Sequence, residues 1–325
     1  MSHVREMCVI GLGLIGGSLL RAATTAGRTA WAATESTVDA EAATVDGYDA
    51  GTDVAAALHR AAQRDAIVVL AVPLTAVDDV LRQVGEHAPE CLLTDVTSVK
   101  GPVLDSVRRL APSARYVGGH PMAGTARSGW ESGRSALFAG SAWVACVEED
   151  TNLAAWAEVA ELALAVGSRV VPLPAAVHDE VVARISHLPH LLAAVLAGVG
   201  AQGGPLAATL AAGSFADGTR VAGTRPELVR AMTEGNREAL LPILDEALGK
   251  LGAARGSLAS TGGLAATIST GNQAVRTMEE LRAGKRAGVR VDLAAPDARD
   301  GLCALGERGG RITAIDGTVA IGEVA

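Results

Sequence analysis

The chain has 325 residues, a mass of 32.8 kDa and a net charge of −8 from 28 basic and 36 acidic side chains. That balance excludes a protein that grips nucleic acid by charge, because neutralising phosphates needs clustered Lys and Arg. At 49% hydrophobic and 20% charged residues it reads as a globular chain long enough for two cores, and with aromatics at only 2% Ala, Val and Leu must fill them.

The N-terminus leads from Met1–Arg5 straight into an apolar run, so no signal peptide is expected. No uninterrupted apolar stretch reaches the roughly 20 residues that cross a bilayer. Through about residue 172, apolar runs alternate with stretches of helical spacing. The runs are Met7–Ile10, Ala66–Val72, Cys91–Thr94, Tyr116–Gly118, Ala142–Val147 and Val170–Leu173. Such alternation predicts βαβ units on a parallel sheet.

The first run opens into Gly11-Leu12-Gly13-Leu14-Ile15-Gly16, a glycine loop between a strand and a helix. Gly11 permits the tight turn, Gly13 lets backbone approach a pyrophosphate, and Gly16 allows helix to pack closely on strand. The pyrophosphate would sit on the helix N-terminus, where N–H groups and the dipole favour an anion. At the second strand's end, Glu35 offers a carboxylate to a ribose 2′-hydroxyl, and no Arg adjoins it to take a 2′-phosphate. NAD is therefore expected, with NADP as the alternative if Thr34 holds the strand-end position. Val72 and Pro73, at the close of the Ala66–Val72 run, complete the expected cofactor-binding set.

After Pro172 and Pro174 the chain reads as helix from Ala175 to about Leu281. His190–Val199 is apolar on nearly every side, which predicts burial in a bundle or at an oligomer interface; a homodimer is expected. Pro226 opens a further helix, with Leu228, Val229, Met232, Leu240, Leu241, Leu244 and Leu248 on its apolar face. From Val289 to Ala325 strand–helix–strand signals return, with Asp316-Gly317 marking a hairpin. The expected fold is an α/β Rossmann-type dinucleotide-binding domain over 1–172, an all-helical substrate and dimerisation domain over 173–284, and a short C-terminal α/β tail over 285–325. The active site is expected in the cleft between the two domains. The cysteines Cys8, Cys91, Cys146 and Cys303 stand far apart and read as free thiols of a cytoplasmic protein, with no metal-site spacing.

Four further segments carry chemistry. They are Thr94-Asp95-Val96-Thr97-Ser98-Val99-Lys100, Gly118-Gly119-His120-Pro121-Met122-Ala123-Gly124-Thr125, Ser186-His187-Leu188-Pro189-His190 and Phe215-Ala216-Asp217-Gly218-Thr219-Arg220-Val221-Ala222. With the glycine loop, and in this order and spacing over residues 5 to 280, they resemble the prephenate/arogenate dehydrogenase family of tyrosine biosynthesis. The resemblance implies hydride transfer from a cyclohexadienol to NAD(P)+ with loss of CO2 and aromatisation of the ring. It implies His120 as the base and Ser98 as a hydrogen-bonding partner of the reacting hydroxyl or the nicotinamide. It also implies Arg220 as the grip on the substrate carboxylate, and His187, Asp217 and Thr125 as further substrate contacts.

The same residues have simpler readings. Ser98 is also placed as a helix cap, Asp217 as a turn cap or partner of Arg220, and Lys100, one of three lysines, as a solvent-facing side chain. His178-Asp179 reads as a helix start and His190 as a packed helical residue. Two positions depart from the resemblance: Ala126 stands where some members carry an acid, and Val229 where others carry an aromatic. The tail also falls short of a regulatory domain. The substrate is thus prephenate, arogenate or the amino analogue 4-amino-4-deoxyprephenate. A β-hydroxyacid dehydrogenase is the wider enzymatic alternative, against which Lys250 and Lys285 fall too late in the chain. A nicotinamide-sensing module without turnover is the non-enzymatic one, which would not need His120, Ser98 and Arg220. No metal, nucleic acid or membrane partner is expected.

Overall fold

The computed structural model describes residues 4–125 and 127–325, which form two compact units. The first runs to His178 and resumes over Gly288–Val324; the second is Asp179–Ala287. In the first, β1 (Met7–Ile10), α1 (Leu14–Thr25), β2 (Ala30–Ala33), α2 (Thr37–Val45), β3 (Ala50–Gly51), α3 (Val54–Arg64), β4 (Ile67–Leu70), α4 (Val77–His87), β5 (Leu92–Asp95), α5 (Gly101–Leu110) and β6 (Arg115–Val117) follow one another. The six strands make a parallel sheet in the order β3-β2-β1-β4-β5-β6. This is the doubly wound order, whose reversal between β1 and β4 opens a ligand crevice beyond the carboxyl ends of the strands.

Alternating side chains divide each strand between two cores. Met7 and Val9 of β1 enter one, with Leu19, Trp143 and Trp156. Cys8 and Ile10 enter the other, with Leu58, Leu81 and Val103. Both faces of the central strands β1 and β4 are covered, so these two strands are buried and apolar throughout. All four tryptophans are buried, which offsets the scarcity of aromatics.

Beyond β6 the structure departs from the single parallel sheet expected. β7 (Gly119–Pro121), β8 (Ala142–Cys146) and, after α6 (Leu153–Ala165), β9 (Arg169–Leu173) start a second sheet. β8 and β9 are parallel, and β7 pairs antiparallel with β8 as the edge strand. A short apolar run reads the same in either sheet; hydropathy carries no record of pairing direction. β7 itself is too short and polar to register as a run.

The helical unit takes over within α7 (Ala175–Val182), which passes through a π turn at Ala183–His187 into α8 (Leu188–Ala201). Counted as one 27-residue helix, Ala175–Ala201 has a most apolar window of mean hydropathy 1.4 and is long and apolar enough, by length and composition alone, to cross a membrane. Only a fifth of its most apolar window is buried in the chain, 22%. On α8 Leu192, Val195, Leu196 and Val199 are exposed, so the expected burial inside a bundle does not occur within one chain. α9 (Gly204–Leu210), α10 (Gly213–Thr219), α11 (Pro226–Gly235), α12 (Arg237–Ser260) and α13 (Ala265–Ala283) complete the unit. Pro226 does open α11, but the apolar face predicted to run from Leu228 to Leu248 is broken at Asn236 into two helices.

β10 (Ala287–Asp292), α14 (Ala298–Glu307), β11 (Arg311–Asp316) and β12 (Val319–Val324) form the predicted strand–helix–strand tail, with Gly317 at φ +59° in its hairpin. These elements do not stand apart. β11 pairs antiparallel with β9, completing the second sheet in the order β10-β12-β11-β9-β8-β7. α14 lies so close to β9 that a Cβ on Gly306 would fall 1.7 Å from the Pro172 carbonyl oxygen.

Candidate active site

The glycine loop occupies the switch point of the parallel sheet. Gly11 has φ +103°, and a Cβ there would meet the Ala71 carbonyl oxygen at 2.4 Å. A Cβ on Gly16 would lie 2.0 Å from the Gly11 carbonyl oxygen, so helix, turn and strand touch through hydrogen atoms alone. Gly13, by contrast, has nothing within 4 Å of its missing Cβ: the backbone there is open. Gly13 is also the N-cap of α1 and offers no side-chain cap, whereas Ser36, Asp53 and Asn152 cap α2, α3 and α6. The first N–H groups of α1 are thus left for an anion, and these residues fit a dinucleotide pyrophosphate. Leu12 and Leu14 are buried, so they can offer a cofactor only backbone; Ile15 is half-buried. Val72 lies beside Gly11, and Pro73 is half-buried where β4 ends.

At the end of β2, Thr34 directly follows the strand and is buried, while Glu35 comes one residue later and is exposed. Ser36 then caps α2 by accepting from the Asp39 N–H.

The β5–α5 loop gathers a buried polar cluster. Asp95 is 0% exposed and Lys100 1%, and they form an ion pair. The expectation that Lys100 faces solvent is therefore overturned: its ammonium turns inward to a carboxylate. Ser98, between them, is half-buried and does not cap α5, whose N-cap is Lys100 without a side-chain hydrogen bond. Tyr116 donates from its hydroxyl to Asp95 Oδ1 at 2.7 Å. Burial and then the nearby carboxylate push that phenol well above its usual range, so it stays a donor.

His120 sits half-buried in β7, opposite Val144 of β8. Its Nδ1 lies 2.8 Å from Nε2 of His178, which is 1% exposed on α7, and the two rings meet edge to face. Reading His178 as a helix start is corrected: α7 begins three residues earlier, at Ala175, and His178 is a buried partner of His120. The signal available is a histidine inside an apolar helical stretch.

Within the helical unit His187 is 1% exposed, and its Nδ1 lies 3.1 Å from Asn236 Nδ2, which also donates to the Asp179 carbonyl at 2.7 Å. Nothing in the sequence singles out Asn236; as the residue that breaks α11 from α12, it owes its place to a tertiary bond. His190 Nδ1 donates to the Ser186 carbonyl at 2.8 Å. Asp217 is exposed inside α10, and Arg220 is exposed just after it. Among the described residues no ion pair joins them. Thr125 is exposed, its hydroxyl accepting from the Arg127 N–H at 3.3 Å. Ala126 lies outside the described residues, and Val229 is exposed on α11.

Comparison with known proteins fits this geometry. The nucleotide-binding domain of prephenate dehydrogenase matches residues 20–172, and its dimerization domain matches residues 174–262. Cyclohexadienyl dehydrogenase of Zymomonas mobilis is 31% identical over 273 residues, 81% of this chain and 92% of that one. The chain belongs to the prephenate dehydrogenase family. That membership makes it an oxidoreductase of tyrosine biosynthesis. A solved chain from Corynebacterium glutamicum, named as a candidate prephenate dehydrogenase, is 43% identical with a TM-score of 0.89, covering 94% of this chain and 98% of that one. Another family structure, arogenate dehydrogenase of Synechocystis, is 28% identical with a TM-score of 0.72, covering 84% and 99%.

Proposed function

We propose that the chain oxidises and decarboxylates prephenate, arogenate or both, with His120 as the base. The observation that carries this reading is His120 just beyond the last strand of a dinucleotide sheet, its Nδ1 engaged by a buried histidine. For Nε2 to take a proton, Nδ1 must carry a hydrogen and donate it to His178 Nε2, whose own hydrogen then sits on Nδ1. His178 holds the ring in that tautomer and accepts from the imidazolium that forms. His120 Nε2 draws the proton from the 4-hydroxyl as hydride leaves the carbinol carbon, and loss of the carboxylate as CO2 makes the ring aromatic. NAD+, when bound, supplies the hydride acceptor. Ser98 orients the reacting hydroxyl or the nicotinamide, and Arg220 pairs with the substrate's ring carboxylate. His187, whose Nδ1 is taken by Asn236, presents Nε2–H as a donor.

Initial rates at the NADH absorbance, with prephenate, arogenate and the amino analogue in parallel, test the reading; no cofactor reduction with prephenate or arogenate sinks it, whatever the amino analogue does. Arogenate carries a side-chain ammonium where prephenate carries a keto group, and Asp217 offers it a carboxylate. Arogenate should be used at least as well as prephenate, and Asp217→Asn should move the ratio of kcat/KM toward prephenate. An unchanged ratio removes Asp217 from substrate choice.

Glu35 is exposed at the crevice end of β2 and would repel a 2′-phosphate, which favours NAD over NADP. In the Glu35→Ala variant the preference for NAD+ should narrow, as read by kcat/KM for both cofactors. Equal use of the two by the unaltered enzyme would assign the choice elsewhere.

The exposed apolar residues of α8, with Leu206, Leu210, Leu248, Leu251, Ile268 and Met278 exposed on other helices of the unit, are suited to cover by a second copy of the chain. Sedimentation should find a homodimer at micromolar concentration; a stable monomer refutes it. The cysteines are free, three of them buried, and burial pushes the Cys91 thiol up to about 12, in keeping with a reducing cytoplasm.

A further inference from the structure

β7 ends its sheet: β8 pairs with one of its edges, and among the described residues no strand pairs with the other. The Gly118 carbonyl accepts from the Cys146 N–H at 2.7 Å, and the Met122 N–H donates to the Ala142 carbonyl at 2.8 Å, so both of these groups face β8. Between them the peptide groups of Gly119 point the opposite way, as alternation along a strand requires. An edge left so would need water or another strand. Here it meets the Asp95–Lys100 pair. Asp95 Oδ1 accepts from the Gly119 N–H at 3.1 Å, and Lys100 Nζ donates to the Gly119 carbonyl at 2.6 Å.

The pair is itself held from other sides. Asp95 Oδ2 accepts from the Thr97 N–H at 3.0 Å and from the Thr97 hydroxyl at 2.5 Å, while Oδ1 also takes the Tyr116 hydroxyl. Lys100 Nζ donates to Asp95 and, at 3.1 Å, to Thr97 Oγ1. The fit around Gly119 leaves no slack, since a Cβ there would stand 2.5 Å from the Asp95 carbonyl oxygen. Burying two opposite charges is a poor way to gain stability, because desolvation offsets the attraction. What this pair does hold is the residue next to His120.

We propose that Asp95 and Lys100 are positioning residues for His120: they replace the missing strand on the open edge of β7 and fix the backbone from which the imidazole reaches both His178 and the substrate. The proposal rests on His120 being the base. Its chemistry is local to one peptide, so loss of the clamp should misplace the ring while leaving the glycine loop and Arg220 as they are.

The test is a double-mutant cycle of Lys100→Met with His120→Asn, both made in the full chain. Lys100→Met alone should lower kcat, on the order of a hundredfold for a displacement near 1 Å, with KM and NAD+ affinity unchanged. Added to His120→Asn it should cost nothing further, because the residue it positions is already gone. A loss of equal size in both backgrounds, a loss confined to KM or to cofactor binding, or no loss at all overturns the proposal. Near-normal turnover of His120→Asn alone would instead overturn the assignment of the base, so the two failures are distinct. If Lys100→Met leaves Asp95 too costly to bury and the protein does not fold, Asp95→Asn/Lys100→Met removes both charges and carries the same cycle. Tyr116→Phe, which strips one donor from Asp95, should lower kcat several-fold with the same dependence on His120.

Discussion

Replacement of His120 by Asn should leave NAD+ binding intact and cut turnover by ~10²–10⁴, the usual worth of general acid–base catalysis. Asn keeps a polar side chain on β7 but has no nitrogen that can take a proton. The proposed cofactor residues lie in the turn between β1 and α1, at the start of α1, after β2 and after β4, on other elements than β7, which carries His120. Cofactor affinity, read by fluorescence titration, should therefore match the unaltered protein while the NADH signal in turnover collapses. In the unaltered protein the rate should fall as acid protonates the His120–His178 pair, which then has no acceptor left for the substrate proton. The variant should lose that limb of the profile. Near-normal turnover, or an unchanged acid limb, would move the proton transfer to another group.

The second large effect is expected at Arg220. A planar guanidinium can pair with a carboxylate through two hydrogen bonds, and charge-assisted bonds of this kind are the strong ones. Arg220→Ala should raise KM for substrate roughly ten- to hundredfold, with cofactor affinity unchanged. Arg220 is exposed, with no ion-pair partner among the described residues, so its removal should leave the melting temperature close to that of the unaltered protein. A rise in KM matched by a fall in melting temperature would point to a structural role. An unchanged KM would remove Arg220 from the substrate site.

Much of the fold and of the candidate site is legible in the amino-acid sequence. The glycine loop states its own geometry, and Gly11 and Gly16 occupy positions a side chain could not share. The motifs around Ser98, His120, His187 and Arg220 suffice for the family because motif order survives in sequence. What stays hidden are partnerships across distance. His120 and His178 are 58 residues apart, and the Lys100 ammonium and the Gly119 carbonyl 19 apart. Nothing local in Lys100 distinguishes a buried ammonium from a solvated one; its position just after a strand-end Asp is the available hint. The second sheet is hidden for the same kind of reason. β8 and β9 have the hydropathy of parallel-sheet strands, and they are indeed parallel to each other, but which sheet they join is decided by β7 and β11, away from them in the chain.

The return of the last strands to the first unit bears on how the chain matures. During synthesis β9 emerges beside β8 with its other edge unpaired, and it stays so while the entire helical unit is made. Only when β11 leaves the ribosome can that edge be closed and α14 seat against Pro172. The nascent protein thus carries an open strand edge at the same time as a helical unit rich in exposed apolar side chains, the two surfaces most prone to wrong pairing. Closing one waits on β11; covering the other would fall to the second copy proposed above. The dehydrogenase's second sheet is finished from its last strands inward.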